Sequence, residues 1–212
     1  MHMLLPTTFI ISSLLVSTQA LADDASRSFE QSLALENVHT VEVDVHVGEI
    51  QILPSDSNTL SYELTVTERD DWFASALADA SMEVTNEGGV LTISLAQDAY
   101  QEEWIVYLPA SVSLNLNVGV GEAELSSLQQ DTDVNIGVGG LDVTLPIAAF
   151  AKVEGITGVG DVSIKAQGEN IREESHLVGK ESRWFKADGK GYAFSANVGV
   201  GSADITLESN SI

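Results

Sequence analysis

An all-β fold, a short β-solenoid of about 18–21 residues per rung with an N-terminal β-region packed on or capping it, follows from three observations on this 212-residue chain. A glycine pair recurs at near-regular spacing, apolar residues alternate with a period of two around each pair, and the alternation slips by one residue at the pair itself. The copies read Asn117-Val-Gly-Val-Gly121, Asn135-Ile-Gly-Val-Gly139, Gly158-Val-Gly160 and Asn197-Val-Gly-Val-Gly201. Their first glycines fall at 119, 137, 158 and 199, which gives spacings of 18, 21 and 41 residues, the last read as about two periods with one degenerate copy. Self-similarity of this kind is the signature of stacked repeats that share one core.

The slip dictates the corner. Val112, Leu114, Leu116, Val118 and Val120 share one parity, and Ala123 and Leu125 take the other. Val134, Ile136 and Val138 likewise give way to Leu141, Val143 and Leu145, and Phe194, Ala196, Val198 and Val200 give way to Ala203, Ile205 and Leu207. Val159 switches to Val162 and Ile164, and Val41, Val43, Val45 and Val47 switch at Gly48 to Ile50 and Ile52. Because side chains along a strand point to alternate faces, apolar residues stay inside across such a slip only if the chain bends or bulges there. Glycine supplies the backbone angles a corner needs. The structural corner glycines are therefore Gly48, Gly119, Gly121, Gly137, Gly139, Gly158, Gly160, Gly199 and Gly201. An antiparallel sandwich of hairpins is the competing architecture, but its Asn-Gly or Asp-Gly turns are scarce between 111 and 170.

Before the repeats, candidate strands lie near 28–35, 39–53, 59–67, 81–86, 89–95 and 102–108, with a short helix through Asp71, Trp72, Phe73, Ala76 and Leu77. The chain divides into a leader (1–22), an N-terminal β-region (23–108) and the Gly-x-Gly solenoid (109–212), the last two forming one continuous elongated domain with a soft boundary at Leu108-Pro109.

Composition sets the compartment. The first 22 residues carry no Lys, Arg, Asp or Glu, and the apolar run Phe9 to Val16 ends in small residues up to Ala22. This reads as a signal peptide with an A-x-A site, too short to span a bilayer, so no membrane span is expected after cleavage. The absence of cysteine excludes both a lipid-modified N-terminus and a disulfide framework. A formal net charge of −23, with 32 acids against 9 bases, excludes nucleic acid as a natural partner. The expectation is an exported protein, most simply periplasmic.

The pattern N-V-G-V-G-x-A-D-I-x-L, clearest from about 105 to 207, resembles bacterial exported adhesin-like proteins of β-strand-repeat families of unknown function, the toast-rack and head-GIN types. The resemblance implies a short right-handed β-solenoid, no enzymatic activity and no catalytic residue. The function expected from it is a structural or interaction module of the cell envelope whose partner is an envelope protein or a glycan.

No catalytic constellation competes with that reading. Gly119-x-Gly121 and its sisters are not dinucleotide fingerprints, because the third glycine position holds Glu124, Asp142, Ser163 or Asp204 and strand patterns follow instead of a helix. His39, His46 and His176 form no metal-ligand spacing, and His46 is opposite in parity to Val45 and Val47. No cofactor is implied. Calcium is the one ion to consider: rungs in register place Glu124 and Asp142 on one outward ladder about 4.8 Å apart, where a cation would relieve repulsion of roughly 0.9 kcal/mol. Calcium or glycan binding on this acidic face is the alternative function, and a small polysaccharide-acting enzyme comes third. The segment Arg183, Trp184, Phe185 and Lys186 departs most from the repeat, and is read either as a turn packed on the solenoid or as a protruding contact loop.

Overall fold

The computed structural model describes residues 26–69 and 77–209. The leader, and Asp71, Trp72, Phe73 and Ala76 of the expected helix, lie outside them; Leu77 opens a single 3-10 turn, Leu77–Asp79. The strands are β1 (Ser26–Ala34), β2 (Thr40–Ser55), β3 (Thr59–Glu68), β4 (Met82–Glu87), β5 (Val90–Leu95), β6 (Tyr100–Pro109), β7 (Ser113–Ser126), β8 (Thr132–Pro146), β9 (Phe150–Ala166), β10 (Arg172–Ser175), β11 (Lys180–Phe185) and β12 (Tyr192–Glu208). The first six match the strands read from the sequence. All twelve join one open sheet, ordered β1-β3-β6-β2-β7-β8-β12-β9-β11-β10, with β5 paired to β2 and β4 to β5.

Register and chain length together require each long strand to fold on itself. Leu114 pairs with Thr132 and Ser126 with Thr144, in parallel. A straight strand from 114 to 126 would span about 40 Å. The segment 127–131 reaches only about 20 Å even when extended. The chain can return from Ser126 to a position beside Leu114 only if β7 bends sharply, and it does so at its glycines. Each rung therefore has two arms and a short return, and the arms enclose the core.

The inward residues confirm the phase change. Across the corner the last buried residue of the first arm and the first of the second are five positions apart: Val45 and Ile50, Val118 and Ala123, Ile136 and Leu141, Thr157 and Val162, Val198 and Ala203, each no more than 3% exposed. One expectation fails here. Val120, Val138, Val159 and Val200 are 46–48% exposed rather than inward, because the convex apex of a bend directs its side chain away from the enclosed core.

The corner glycines stack on one another. A Cβ on Gly139 would lie 1.7 Å from the carbonyl oxygen of Gly121, and one on Gly121 1.7 Å from that of Gly48. Both residues also hold φ near +150°, a conformation that L-residues rarely adopt. The first glycines, Gly119, Gly137, Gly158 and Gly199, are equally confined, their Cβ positions falling 2.5–2.7 Å from the carbonyl of the adjacent rung.

Among the five rungs, β2, β7, β8, β9 and β12, spatial order departs from chain order once. The interval from 158 to 199 holds no degenerate rung. It contains the antiparallel hairpin β10–β11, whose second strand pairs with the first arm of β9. β12 then returns and inserts between β8 and β9, parallel to both and in register with both glycine pairs. At the opposite end, β5 pairs with the first arm of β2 and β6 with the second, so the N-terminal region closes the solenoid there. Trp104, Tyr62 and Tyr100 fill that end, with the Tyr62 and Trp104 rings 5.7 Å apart, and Trp184, Phe150 and Phe194 fill the other.

Gly139→Ala combines a forbidden φ with a backbone collision and should destabilise the fold by about 3 kcal/mol or more. Gly168→Ala, at φ +79 in open space, should cost only about 1 kcal/mol. Urea unfolding of both variants beside the parent chain measures the difference.

Candidate functional site

In-register stacking turns the repeat into straight rows on the outer surface. Asp44, Asn117, Asn135, Asn197 and Ile156 occupy successive rungs of one row. Val47, Val120, Val138, Val200 and Val159 form another at the apex. The glycines between them have no side chains and leave a floor. The result is a shallow trench of about 710 Å³ with an amide wall, its far end lined by His46, Arg69 and Asp98.

The amide wall is tied together by directional hydrogen bonds. Asn197 donates its side-chain amide to Asn135 Oδ1 at 3.4 Å, and Asn135 donates to Asn117 Oδ1 at 3.3 Å. Asn117 in turn donates to Asp44 Oδ1 at 2.8 Å and to Glu42 Oε1 at 3.2 Å. Each asparagine is the residue preceding V-G-V-G or I-G-V-G, so the sequence carried the signal, but only the parallel register makes it a ladder.

At the head of the trench lies a buried carboxylate that sequence patterning missed. Glu102, 1% exposed, accepts hydrogen bonds from the His46 backbone amide at 3.0 Å and from Trp104 Nε1 at 2.8 Å. Its Oε1 also lies 3.2 Å from His46 Nδ1. The pairing fixes the imidazole at the trench wall. Glu102 sits on β6, 56 residues from His46, and in an acidic chain nothing distinguishes it locally from its neighbour Glu103.

The segment 180–186 is strand β11 and the residue that follows it, neither a turn nor a projecting loop. Trp184 is 2% exposed and packs on the core, its Nε1 3.4 Å from Glu169 Oε2. Arg183 is held by Glu154 and Glu181. Lys186 donates to the Ala148 carbonyl at 2.8 Å, and Phe185 is left 48% exposed. Burial thus removes Trp184 from the expected contact set. Beside it, Lys152, Glu154, Arg172, Glu174, Glu181, Arg183 and Phe185 line a charged depression of about 350 Å³. A hydrogen bond from Lys152 holds the Glu154 carboxyl below its ordinary value of 4.5, with Arg183 adding to the effect and burial opposing it.

The acidic row on the second arm is in register as expected, with Glu124 beside Asp142 and Asp142 beside Asp204. Asp204 is already engaged by Ser163 Oγ at 2.7 Å and Lys165 Nζ at 3.1 Å. The ligand atoms that converge within 4.8 Å among the described residues are instead those of Glu174, His176 and Glu181 on the β10–β11 hairpin.

Fold and surface together define a β-solenoid with closed core ends and an ordered, repetitive outer corner. No family model and no curated protein matches the chain. Among solved structures it is similar to a "putative cell adhesion protein" from Clostridium sporogenes, at 14% identity over 86% of this chain and 100% of that one, with a TM-score of 0.49. It is also similar to a "putative adhesin" from Bacteroides fragilis (8% identity, 84% and 97% of the two chains, TM-score 0.24). Another "putative adhesin", from Parabacteroides merdae, is similar at 10% identity over 84% and 96% of the two chains, with a TM-score of 0.22.

Glu102→Ala strands the buried Trp104 and His46 donors and should destabilise the chain by about 2–4 kcal/mol in urea unfolding. Because the Glu154 carboxyl is lowered in the folded state, its stabilisation is full above 4.5 and is lost as pH falls through the lower folded value. Glu154→Gln should therefore flatten the decline in stability between about pH 5 and about pH 3, read as melting temperature against pH.

Proposed function

We propose that this chain is a non-enzymatic, exported structural or interaction module of the bacterial cell envelope, adhesin-like in role, with the outer corner of the solenoid as its contact surface. In this reading residues 1–22 are removed as a signal peptide, and 23–108 and 109–212 act as one elongated domain, most simply in the periplasm. The partner is an envelope protein or a glycan.

One observation carries the proposal. Four valines at equivalent positions, Val120, Val138, Val159 and Val200, are each nearly half exposed in a straight row. A folding core has no use for them there, and an aligned apolar row beside polar groups has the composition of an interaction surface. The neighbouring asparagine row offers amide groups at the same spacing, which suits a partner with repeated hydrogen-bonding groups. The imidazole of His46 is oriented through Nδ1 by Glu102. Calcium binding on the acidic face is the weaker alternative, because Glu124, Asp142 and Asp204 stack without converging.

Replacing Val138 and Val200 together by Lys should reduce binding of the purified protein to isolated envelope, measured by co-sedimentation, by about tenfold or more. Since both sites are exposed, each change should alter folding stability by no more than about 0.5 kcal/mol. Binding that survives the double substitution places the contact surface elsewhere.

A further inference from the structure

The two arms of the solenoid form two sheet walls, and the edges of those walls are not equivalent. On the first-arm wall the outermost strands are β4 and β10, both short and bearing charges: Glu83 and Glu87 on one, Arg172, Glu173 and Glu174 on the other. β10 is only four residues long and β4 carries acids alone in an acidic chain, and both features resist further pairing. On the second-arm wall the outermost strands are β1 at one end and residues 161–166 of β9 at the other. Among the described residues, β1 pairs only with β3, and residues 161–166 pair only with β12. Both present a regular edge free of proline and glycine; β1 is nine residues long, and the six-residue 161–166 edge carries one charge of each sign, Asp161, paired with Lys180 at 3.4 Å, and Lys165.

We propose that copies of this chain associate head to tail, β1 of one molecule adding to the open 161–166 edge of the next. Strand direction supports this choice of occupant. β1 is antiparallel to β3, β3 is antiparallel to β6, and β6 is parallel to β2 and hence to every rung. β1 therefore runs in the same direction as β9 in the same wall, and its addition continues the parallel sheet without reversal. Side-chain chemistry then selects a register. Asp161, Ser163 and Lys165 alternate with the inward Val162 and Ile164. Ser28 and Glu30 are two of the exposed residues of β1, and Phe29 between them packs against the core. Setting Ser28 beside Ser163 brings Phe29 beside Ile164 and Glu30 beside Lys165, joining apolar to apolar and acid to base. Lys165 is 67% exposed and bonds Asp204 at 3.1 Å, itself a surface contact. Because donor and acceptor edges lie at opposite ends of one molecule, the contact is heterologous and does not close at a dimer. An interface of this width is weak, and the net charge of −23 opposes it, so association is expected at high protein concentration and moderate salt.

Sedimentation velocity over a concentration series at about 0.15 M salt tests the proposal. The weight-average mass should rise from that of the monomer past that of a dimer without a plateau. Glu30→Lys and Lys165→Glu should each weaken association by about threefold to tenfold, and the two together should restore it to within about twofold. A chain that stays monomeric, a plateau at the dimer, or a double variant that fails to recover overturns the proposal. A cysteine pair supplies a test that does not depend on the charge variants folding well, since the chain has no cysteine of its own. With Ser28→Cys and Ser163→Cys combined, a short bis-maleimide should produce a ladder beyond dimers, whereas each single variant should stop at dimers. Dimers alone from the double variant overturn the proposal equally.

Discussion

Backbone contact at the corner governs the rest of this structure. Successive rungs turn with their glycines so close that no β-carbon fits between one chain and the carbonyl of the next, 1.7 Å being the distance at Gly139. That intimacy lets all five rungs bend at the same level. With the bends aligned, the two arms of each rung remain parallel to their neighbours over their whole length, and identical positions fall into straight rows. The buried aliphatics, the amide ladder and the exposed valines are three consequences of one alignment.

The order of assembly follows from where β12 lies. Its neighbours β8 and β9 are consecutive in the chain but do not pair with each other; the strand that joins them comes last. Asn197 reaches Asn135 across 62 residues. Such a topology makes the C-terminal strand a wedge on which the second half of the core depends, and it weights the fold toward non-local contacts, which slow folding. The hairpin β10–β11 has a complementary use. It covers the first arm of β9 and brings Trp184 over the end of the core, which would otherwise leave apolar side chains open to water.

Much of this was legible in the sequence, for identifiable reasons. Alternation at period two reports the strands directly, because it records which side chains must be buried, and the phase slip at each glycine pair reports the bend. The same logic misplaced Val120, Val138 and Val200, since parity alone does not register that four residues are consumed in turning the corner. The 41-residue interval between Gly158 and Gly199 resembled two periods only because a hairpin with its connections happens to be that long. The site was less accessible. Glu102 meets His46 across 56 residues, and one glutamate among many acids carries no periodic or compositional mark. Trp184, prominent beside its basic neighbours, had two readings that differ only in burial, a quantity set by the strand β11 packs against.

By itself the sequence determined the all-β class, the strands, the position of each corner and the identity of the aliphatics that line the core, because these depend on local periodicity and on the unique conformational range of glycine. Tertiary structure alone decided that β12 lies between β8 and β9, that the apex valines face water, that the asparagines form a hydrogen-bonded row, and that the second-arm wall has open edges. Among the described residues both ends of that wall are open, β1 pairing with β3 alone and residues 161–166 with β12 alone. Each of these is a relation between segments distant in the chain, and it exists only once parallel strands have chosen their neighbours.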